Sequence, residues 1–199
     1  MDSKNITAYF HRLSDLFLHL EATDRHGAIL PLGEGASKAV ELILAVKEDS
    51  GKAMVIGNGG SVAIAEHMQN DLCKAVGVRA MAFTDTPLLT AMANDHGYEC
   101  VFERPVQLWA DTGDLLLAIS SSGESENILR AVRASVGRGG QVITFSGFEA
   151  DNSLRRMGHL NFYVPSQVYG YVEVVHSALT HFLTDCAVQS QSEAEDSRG

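Results

Sequence analysis

Apolar residues near the start of the chain recur at the three- and four-residue spacing of amphipathic helices. Between residues 6 and 20 they form one stripe, and a second stripe runs from residue 36 to 47 before Gly51 ends it. The pattern predicts two leading helices. Residues 1–50 are therefore expected to form a helical extension that packs on the following domain and contributes to a subunit interface.

The pattern changes after residue 51, where short apolar runs alternate with helical stripes. The runs predict five buried strands, at residues 53–56, 80–83, 114–119, 141–145 and 160–164. Helical patterns follow them, from residue 61 and at residues 88–94, 100–110, 125–136 and 171–187. Such alternation is typical of a mainly parallel sheet with helices on both faces. The predicted fold class is α/β: a three-layer domain with a five-stranded, mainly parallel sheet and two leading helices.

A single domain accounts for the part of the chain that carries these patterns. No internal repeat or interdomain linker interrupts residues 51–188. Residues 189–199 are polar and lack periodicity, so we expect a disordered tail there. The composition, with 45% hydrophobic and 20% charged residues, is that of an ordinary globular protein.

The net charge and the cysteine content indicate which binding partners and which cellular compartment to expect. The formal net charge is −10, which disfavours a protein that grips nucleic-acid backbones. Cys73, Cys100 and Cys186 are widely spaced and form no CxxC pair, so neither a disulfide framework nor a thiolate zinc site is indicated. The N-terminus lacks a signal-peptide pattern, and no apolar run reaches membrane-spanning length. We expect a cytoplasmic protein that binds neither nucleic acid nor membrane.

Serine residues gather where the third predicted strand ends and a helix begins. The candidates are Ser120, Ser121, Ser122 and Ser125. The first amides of a helix lack partners within the helix and carry partial positive charge, so hydroxyls placed there can surround a phosphate group. Serine and glycine are also ordinary capping and turn residues. The loop is a candidate phosphate site, with a purely structural cap as the alternative.

A second loop of small residues follows the first predicted strand, with the sequence GNGGS at residues 57–61. Its glycines let a ligand approach the backbone closely, so Asn58, Gly59, Gly60 and Ser61 are candidate ligand contacts. Neither GxGxxG nor GxxxxGK[ST] is present, which argues against a dinucleotide or a nucleoside triphosphate. Hydroxyl-rich loops without lysine suit a sugar monophosphate better.

Four segments together resemble the phosphoheptose isomerases of the SIS-domain family. They are GNGGS at residues 57–61, ANDHGYE at 93–99, GDLLLAISSSGESENILRA at 113–131 and EVVHSALTHFL at 173–183. The resemblance implies an SIS fold and a ketose–aldose isomerase. Its expected reaction converts sedoheptulose 7-phosphate to D-glycero-D-manno-heptose 7-phosphate through an enediol, for heptose and surface polysaccharide synthesis. The resemblance also implies a homotetramer.

The resemblance further implies a set of site residues. Members of the family often hold zinc through side chains that correspond here to His67, Asp71, Glu173 and His181. By the same correspondence Asp71 is the expected base and His181 the expected acid of the enediol mechanism. Asn94 and Asp95 lie in the segment where related enzymes place a pocket residue, and with Glu173 they complete the expected substrate contacts. His176 is expected to be structural or to lie at a subunit contact.

The sequence departs from the pattern of the family at several places. Asp71 stands where the family has a glutamate, and Glu173 stands where it has a glutamine, so either carboxylate remains a candidate for the base. The arginine expected shortly after Asp71 is missing, and the segment before the last helix is one residue shorter. These differences leave room for another sugar or another linkage at its phosphate.

Two other functions occur among SIS-domain proteins. A non-catalytic protein that binds a phosphosugar and a protein partner, such as a replication initiator, is expected to lack the histidine of the closing helix, which this chain retains as His181. A sugar-phosphate sensor is expected to carry a DNA-binding domain, for which no sequence remains. The resemblance favours the isomerase, with the non-catalytic binding protein as the alternative.

Overall fold

The computed structural model describes residues 5–196 of the 199-residue chain, in which helices and strands alternate. The helices are α1 (Ile6–Leu18), α2 (Leu32–Glu48), α3 (Gly60–Asp71), α4 (Thr86–His96), α5 (Glu103–Trp109), α6 (Glu126–Gly137) and α7 (Tyr169–Asp196). The strands are β1 (Glu21–Asp24), β2 (Ile29–Leu30), β3 (Ala53–Gly57), β4 (Ala80–Ala82), β5 (Leu115–Ser120), β6 (Gln141–Ser146) and β7 (Leu160–Tyr163). None of the described helices is long and apolar enough to cross a membrane.

The strands form one sheet in the order β2-β1-β7-β6-β5-β3-β4. Strands β3 to β7 are parallel to their neighbours among themselves, whereas β1 pairs antiparallel with β7 and with β2. The chain leaves β3 toward β4 on one side and then places β5 on the other side of β3. Strand order therefore reverses between β3 and β5, and such a switch point opens a crevice at the carboxyl ends of the two strands.

Alternate side chains of the parallel strands enter two separate cores, which gives the domain three layers. Val55 and Leu117 point to a core shared with α1, α2, α3 and α7. Ile56 and Ala118 point to the opposite core, which α5 and α6 cover. Burial on both faces explains why these strands read as continuous apolar runs in the sequence. The predicted three-layer α/β fold is confirmed.

The sheet has seven strands rather than the predicted five. The additional strands β1 and β2 form a hairpin at the edge of the sheet. Asp24 shapes its turn, because Asp24 Oδ1 accepts hydrogen bonds from the backbone N–H groups of His26 and Ala28 at 2.8 and 2.9 Å. Strands of four and two residues offer too few positions to show an alternating pattern, so the sequence alone missed them.

The last helix continues beyond its predicted end. The sequence predicts disorder from residue 189, but α7 runs to Asp196. Gln191 Nε2 donates a hydrogen bond to the carbonyl oxygen of Val76 at 3.1 Å, and Gln189 pairs with Glu193 on the next turn at 2.8 Å. These contacts support a helix that has no apolar stripe in this part. Residues 197–199 of the predicted tail lie outside the described residues.

Helix α7 buries one histidine completely. The ring of His176 packs against that of Phe145 with centroids 6.0 Å apart, and His176 Nε2 lies 3.1 Å from the carbonyl oxygen of Ser146. Its Nδ1 is buried and has no hydrogen-bond partner among the described residues. Burial lowers the pKa of His176 from 6.5 to about 4, although the hydrogen bond with Ser146 opposes this shift. The ring is therefore neutral at neutral pH.

Acidification is expected to destabilise the protein through His176. The pKa of His176 is lower in the folded state than in the unfolded state, so this group does not reduce the stability of the protein above about pH 6.5. As the pH falls from there toward about 4, the unfolded state takes up a proton first, and the free energy of unfolding decreases. For this group alone, the free energy of unfolding is expected to fall by about 2 kcal/mol between about pH 7 and about pH 5. Chemical denaturation of the wild-type protein and of His176→Gln measures the effect, since glutamine can donate to Ser146 without titrating. An identical pH dependence in both proteins contradicts this expectation.

Candidate active site

The two loops of small residues lie side by side at the switch point of the sheet. The glycine loop (residues 57–61) joins β3 to α3, and the serine loop (residues 120–125) joins β5 to α6. Gly57 pairs with Ile119 in the parallel ladder, so both loops leave the same edge of the sheet. Open α/β sheets bind their ligands at this place.

Close packing explains the glycines of the glycine loop. A Cβ on Gly57 would lie 2.5 Å from the carbonyl oxygen of Ser61, which leaves no room for a side chain. Gly59 has a φ of 53°, a conformation that other residues rarely adopt. The loop therefore turns tightly from β3 into the first turn of α3, where Ser61 is buried.

The serine loop offers hydroxyls and amides in front of α6. Ser120 Oγ lies 3.4 Å from Ser125 Oγ, and Ser122 is half-buried at the bend. Ser125 precedes α6, yet among the described residues its hydroxyl makes no capping hydrogen bond, so the amides of Glu126 and Asn127 are available to a ligand. Ser121 is buried, and its Oγ has no recorded partner. The loop has the donors that an anion requires.

Residues between β6 and β7 hold the serine loop in place through hydrogen bonds. The Glu124 carboxylate accepts hydrogen bonds from the backbone N–H and the Oγ of Ser153, at 2.6 and 2.8 Å. The N–H of Leu154 donates to the carbonyl oxygen of Gly123 at 3.0 Å. Gly123 has a φ of 68°, and a Cβ there would overlap the side chain of Asn152. These contacts fix the shape of the loop.

Side-chain hydrogen bonds connect the two loops. Asn58 of the glycine loop and Asn127 of α6 exchange two hydrogen bonds of 2.9 Å each, and the Tyr98 hydroxyl donates to Asn58 Oδ1 at 2.9 Å. We call these three residues the amide bridge. Sequence reasoning missed Asn127 and Tyr98, although both lie in segments that carry the family resemblance. Their contacts join positions 69 and 40 residues apart, which no periodicity reveals.

Side chains of α3 and α7 form a cluster at the surface between the two helices. Asp71 Oδ2 lies 3.5 Å from His67 Nε2 and 3.3 Å from His181 Nδ1. The two imidazole rings lie 4.7 Å apart and are inclined by 64°. Asn70 Nδ2 donates to Asp71 Oδ1 at 3.1 Å, which leaves Asp71 Oδ2 for the histidines. Side-chain exposures of 57% for His67 and 48% for His181 show that a ligand can reach the cluster.

The cluster fits a zinc ion. Ligand atoms that surround zinc tetrahedrally at about 2.1 Å lie about 3.4 Å from one another. The two distances from Asp71 Oδ2, 3.5 and 3.3 Å, match this spacing, and all three ligand atoms lie within 4.8 Å of one another. Imidazole nitrogen and carboxylate oxygen are ligands that zinc prefers, and three protein ligands leave a fourth position open to a substrate.

Glu173 lies outside this cluster. Its carboxylate packs against Gly60 at the start of α3, where a Cβ on Gly60 would overlap it. His181 follows Glu173 by two turns of α7, about 12 Å along the helix axis. The structure thus groups three of the four predicted metal ligands, His67, Asp71 and His181, and places Glu173 at the glycine loop.

Asn94 and Asp95 occupy the last turn of α4. Both are exposed, and their recorded side-chain hydrogen bond runs from Asn94 Nδ2 to Asp95 Oδ1 at 2.8 Å. Within residues 5–196, no recorded side-chain contact joins either residue to the two loops or to the histidine cluster. Their predicted contact with a substrate stays a prediction.

Known proteins are similar to this chain in both sequence and fold. The SIS domain family model matches residues 9–147. The phosphoheptose isomerase of Helicobacter pylori strain Shi470 is 32% identical over 178 residues, which cover 86% of this chain and 91% of that protein. The phosphoheptose isomerase of Aquifex aeolicus is 33% identical over 150 residues, which cover 72% of this chain and 78% of that protein.

Solved structures of two further phosphoheptose isomerases superpose over nearly the whole chain. The enzyme of Neisseria gonorrhoeae gives a TM-score of 0.80 at 30% identity and covers 94% of this chain and 98% of its own. That of Francisella tularensis gives a TM-score of 0.82 at 27% identity, with 95% and 99% covered. With its fold and most of its length shared in this way, the chain belongs to the phosphoheptose isomerase family of SIS-domain proteins.

Proposed function

We propose that the protein is a ketose–aldose isomerase that converts sedoheptulose 7-phosphate to D-glycero-D-manno-heptose 7-phosphate for heptose and surface polysaccharide synthesis. One observation carries the proposal: Asp71 of α3 lies within 3.5 Å of His67 on the same helix and of His181 on α7. A carboxylate and an imidazole supply the base and the acid that enediol chemistry needs. The relatives of Helicobacter pylori and Aquifex aeolicus carry the name of this activity.

The reaction moves one proton between neighbouring carbons and one between neighbouring oxygens. The serine loop holds the phosphate, and Asp71 and His181 act on the carbonyl end of the sugar. Asp71 takes a proton from C1 of the ketose and returns it to C2, which gives the aldose. His181 donates a proton to the oxygen on C2 as the enediol forms and accepts the proton of the hydroxyl on C1 as the enediol collapses. Asn70 holds the second oxygen of Asp71 during both transfers.

His67, Asp71 and His181 are the residues that would hold zinc. A bound zinc ion supplies Lewis-acid polarisation of the sugar oxygens. We assign Glu173 to the substrate rather than to the metal, because its carboxylate packs against Gly60 in the glycine loop. Asp71 rather than Glu173 is assigned as the base, because it lies beside the imidazole of His181 at 3.3 Å.

Turnover in deuterated water tests the proposed function. The purified, zinc-supplemented protein is incubated with sedoheptulose 7-phosphate and followed by NMR. We expect the aldoheptose phosphate to form and to carry solvent deuterium at C2, because the proton on Asp71 exchanges with water. Binding of the sugar without product and without exchange at C1 contradicts the proposal and favours the non-catalytic alternative.

The serine loop is expected to supply a measurable part of the substrate affinity. The double variant Ser122→Ala/Ser125→Ala should weaken binding of sedoheptulose 7-phosphate by about 1–3 kcal/mol, because hydrogen bonds to a charged phosphate are lost. Isothermal titration calorimetry measures the change, with Ser37→Ala on the exposed face of α2 as the control. Unchanged affinity in the double variant places the phosphate elsewhere.

Exposed apolar side chains support assembly into a homotetramer. Ile6 and Phe10 on α1 are 68% and 57% exposed, and Phe182 beside the histidine cluster is 52% exposed. Light scattering is expected to give the mass of four 21.4 kDa chains, and Phe10→Glu is expected to lower it. A monomeric wild-type protein contradicts this part of the proposal.

A further inference from the structure

The amide bridge uses the side chain of Asn58 fully within the protein. Asn58 Oδ1 accepts hydrogen bonds from Asn127 Nδ2 and from the Tyr98 hydroxyl, while Asn58 Nδ2 donates to Asn127 Oδ1, all at 2.9 Å. Asn127 is 3% exposed, so its amide is shielded from water. Polar contacts in a shielded place resist rearrangement, because a lost partner leaves a buried group unsatisfied.

The amide bridge connects the two sides of the crevice between β3 and β5. Asn58 is the second residue of the glycine loop, and Asn127 lies in the first turn of α6, directly after the serine loop. The two loops leave adjacent strands, and the recorded side-chain hydrogen bonds between the glycine loop and the first turn of α6 are those of the bridge. These hydrogen bonds therefore connect the two loops in addition to the pairing of the strands from which the loops leave.

Tyr98 belongs to a segment that is fixed to α6. Its side chain is 52% exposed, but it begins a short 3-10 turn, Tyr98–Cys100, that packs beside α6. Arg130 Nη1 of α6 lies 3.5 Å from Cys100 Sγ, and the next residue, Val101, is buried. The Tyr98 hydroxyl thus approaches Asn58 from a segment fixed to the same helix that carries Asn127.

We propose that Tyr98 and Asn127 are positioning residues which, through Asn58, set the distance between the glycine loop and the serine loop. That distance selects phosphosugars by the span from the phosphate to the part of the sugar that lies at the glycine loop. The proposal rests on the proposed function, because it assumes that the serine loop holds the phosphate while the rest of the sugar reaches the glycine loop and α3. Inorganic phosphate needs the serine loop alone, so its binding is independent of the bridge.

The test compares two ligands in the full-length protein. Tyr98→Phe removes one hydroxyl and is expected to raise the KM for sedoheptulose 7-phosphate about 3- to 10-fold with kcat nearly unchanged. Asn127→Ala is expected to raise it about 10- to 100-fold, and the double variant less than the product of the two effects. The dissociation constant for inorganic phosphate, measured by calorimetry, is expected to stay within about twofold in Tyr98→Phe. Tyr9→Phe, whose hydroxyl makes no hydrogen bond within residues 5–196, is the matched control.

The outcomes separate this inference from the proposed function. A wild-type protein that turns over the sugar, with an unchanged KM in Tyr98→Phe, overturns the bridge and leaves the isomerase intact. Equal weakening of sugar and phosphate in Tyr98→Phe also overturns it, since that result indicates a general disturbance of the serine loop. A wild-type protein that neither binds nor converts the sugar overturns the proposed function and this inference with it. If Asn127→Ala does not fold, the measurements on Tyr98→Phe alone decide whether the bridge sets the distance between the loops.

Discussion

Replacement of His181 by alanine is expected to lower turnover of sedoheptulose 7-phosphate by about three orders of magnitude, because the acid for the sugar oxygens is lost. The cluster also loses one of the three ligand atoms grouped within 4.8 Å. The side chain of His181 is 48% exposed and fills no core, so the variant is expected to fold like the wild type. Steady-state kinetics with thermal unfolding of both proteins measures the effect.

A matched control for this variant is His26→Ala. His26 is an exposed histidine in the turn between β1 and β2, and its recorded hydrogen bond comes from the backbone N–H rather than from the ring. Loss of turnover in His181→Ala with full activity in His26→Ala assigns the effect to the cluster. Turnover near the wild-type rate in His181→Ala removes the acid from the mechanism.

Zinc is expected to bind the wild-type protein at about one ion per chain and to bind His67→Ala at least about 100-fold more weakly. The physical reason is the ligand count: without His67 Nε2 the cluster keeps one imidazole and one carboxylate. Two ligands do not hold zinc against water at neutral pH as three do. Elemental analysis after dialysis gives the stoichiometry, and a chelator competition gives the affinity, both without reference to activity.

Two further variants sharpen the zinc measurement. Glu173→Gln is expected to leave zinc affinity within about threefold of wild type, because Glu173 lies at the glycine loop about two helical turns from His181. His26→Ala again serves as the exposed control. Unchanged zinc affinity in His67→Ala, or strong loss in Glu173→Gln, contradicts the assignment of the cluster as the metal site.

The parts of the fold that the sequence predicted are those in which local pattern and burial agree. Strands β3, β5 and β6 are buried on both faces, and burial on both faces requires the continuous apolar runs from which they were predicted. The two loops were found for a similar reason. Close packing requires glycine at position 57, and a positive φ favours glycine at position 59. Local requirements of this kind are visible in the sequence as glycine residues.

The parts that the sequence missed depend on contacts between distant positions. Hairpin β1–β2 exists because β1 adds to the edge of β7, where Glu21 pairs with Tyr163 and Asp24 with Leu160, positions 142 and 136 residues apart. The final turns of α7 are held by a hydrogen bond to Val76, which no helical pattern shows. The amide bridge is of the same kind, since neither Tyr98 nor Asn127 has a local pattern that marks it.

Within the candidate site, the structure brings three of the four predicted metal ligands together and places the fourth, Glu173, apart from them. The family resemblance grouped Glu173 with the two histidines and Asp71 as a metal ligand. The structure separates them, because α3 begins at Gly60 beside Glu173 and reaches His181 only at its far end, at Asp71. The shorter side chain of Asp71 nevertheless approaches both imidazoles, at 3.5 and 3.3 Å, which sequence reasoning could not establish.

The isomerase activity itself is tested most directly by asking whether the zinc-loaded wild-type protein converts sedoheptulose 7-phosphate at all. The assay follows the anomeric proton signal of the aldoheptose phosphate by NMR over time, starting from the pure ketose. We expect this signal to appear and to grow toward an equilibrium mixture of the two sugars. A protein that binds the ketose at its serine loop and leaves it unchanged contradicts the central claim that His67, Asp71 and His181 form an isomerase site.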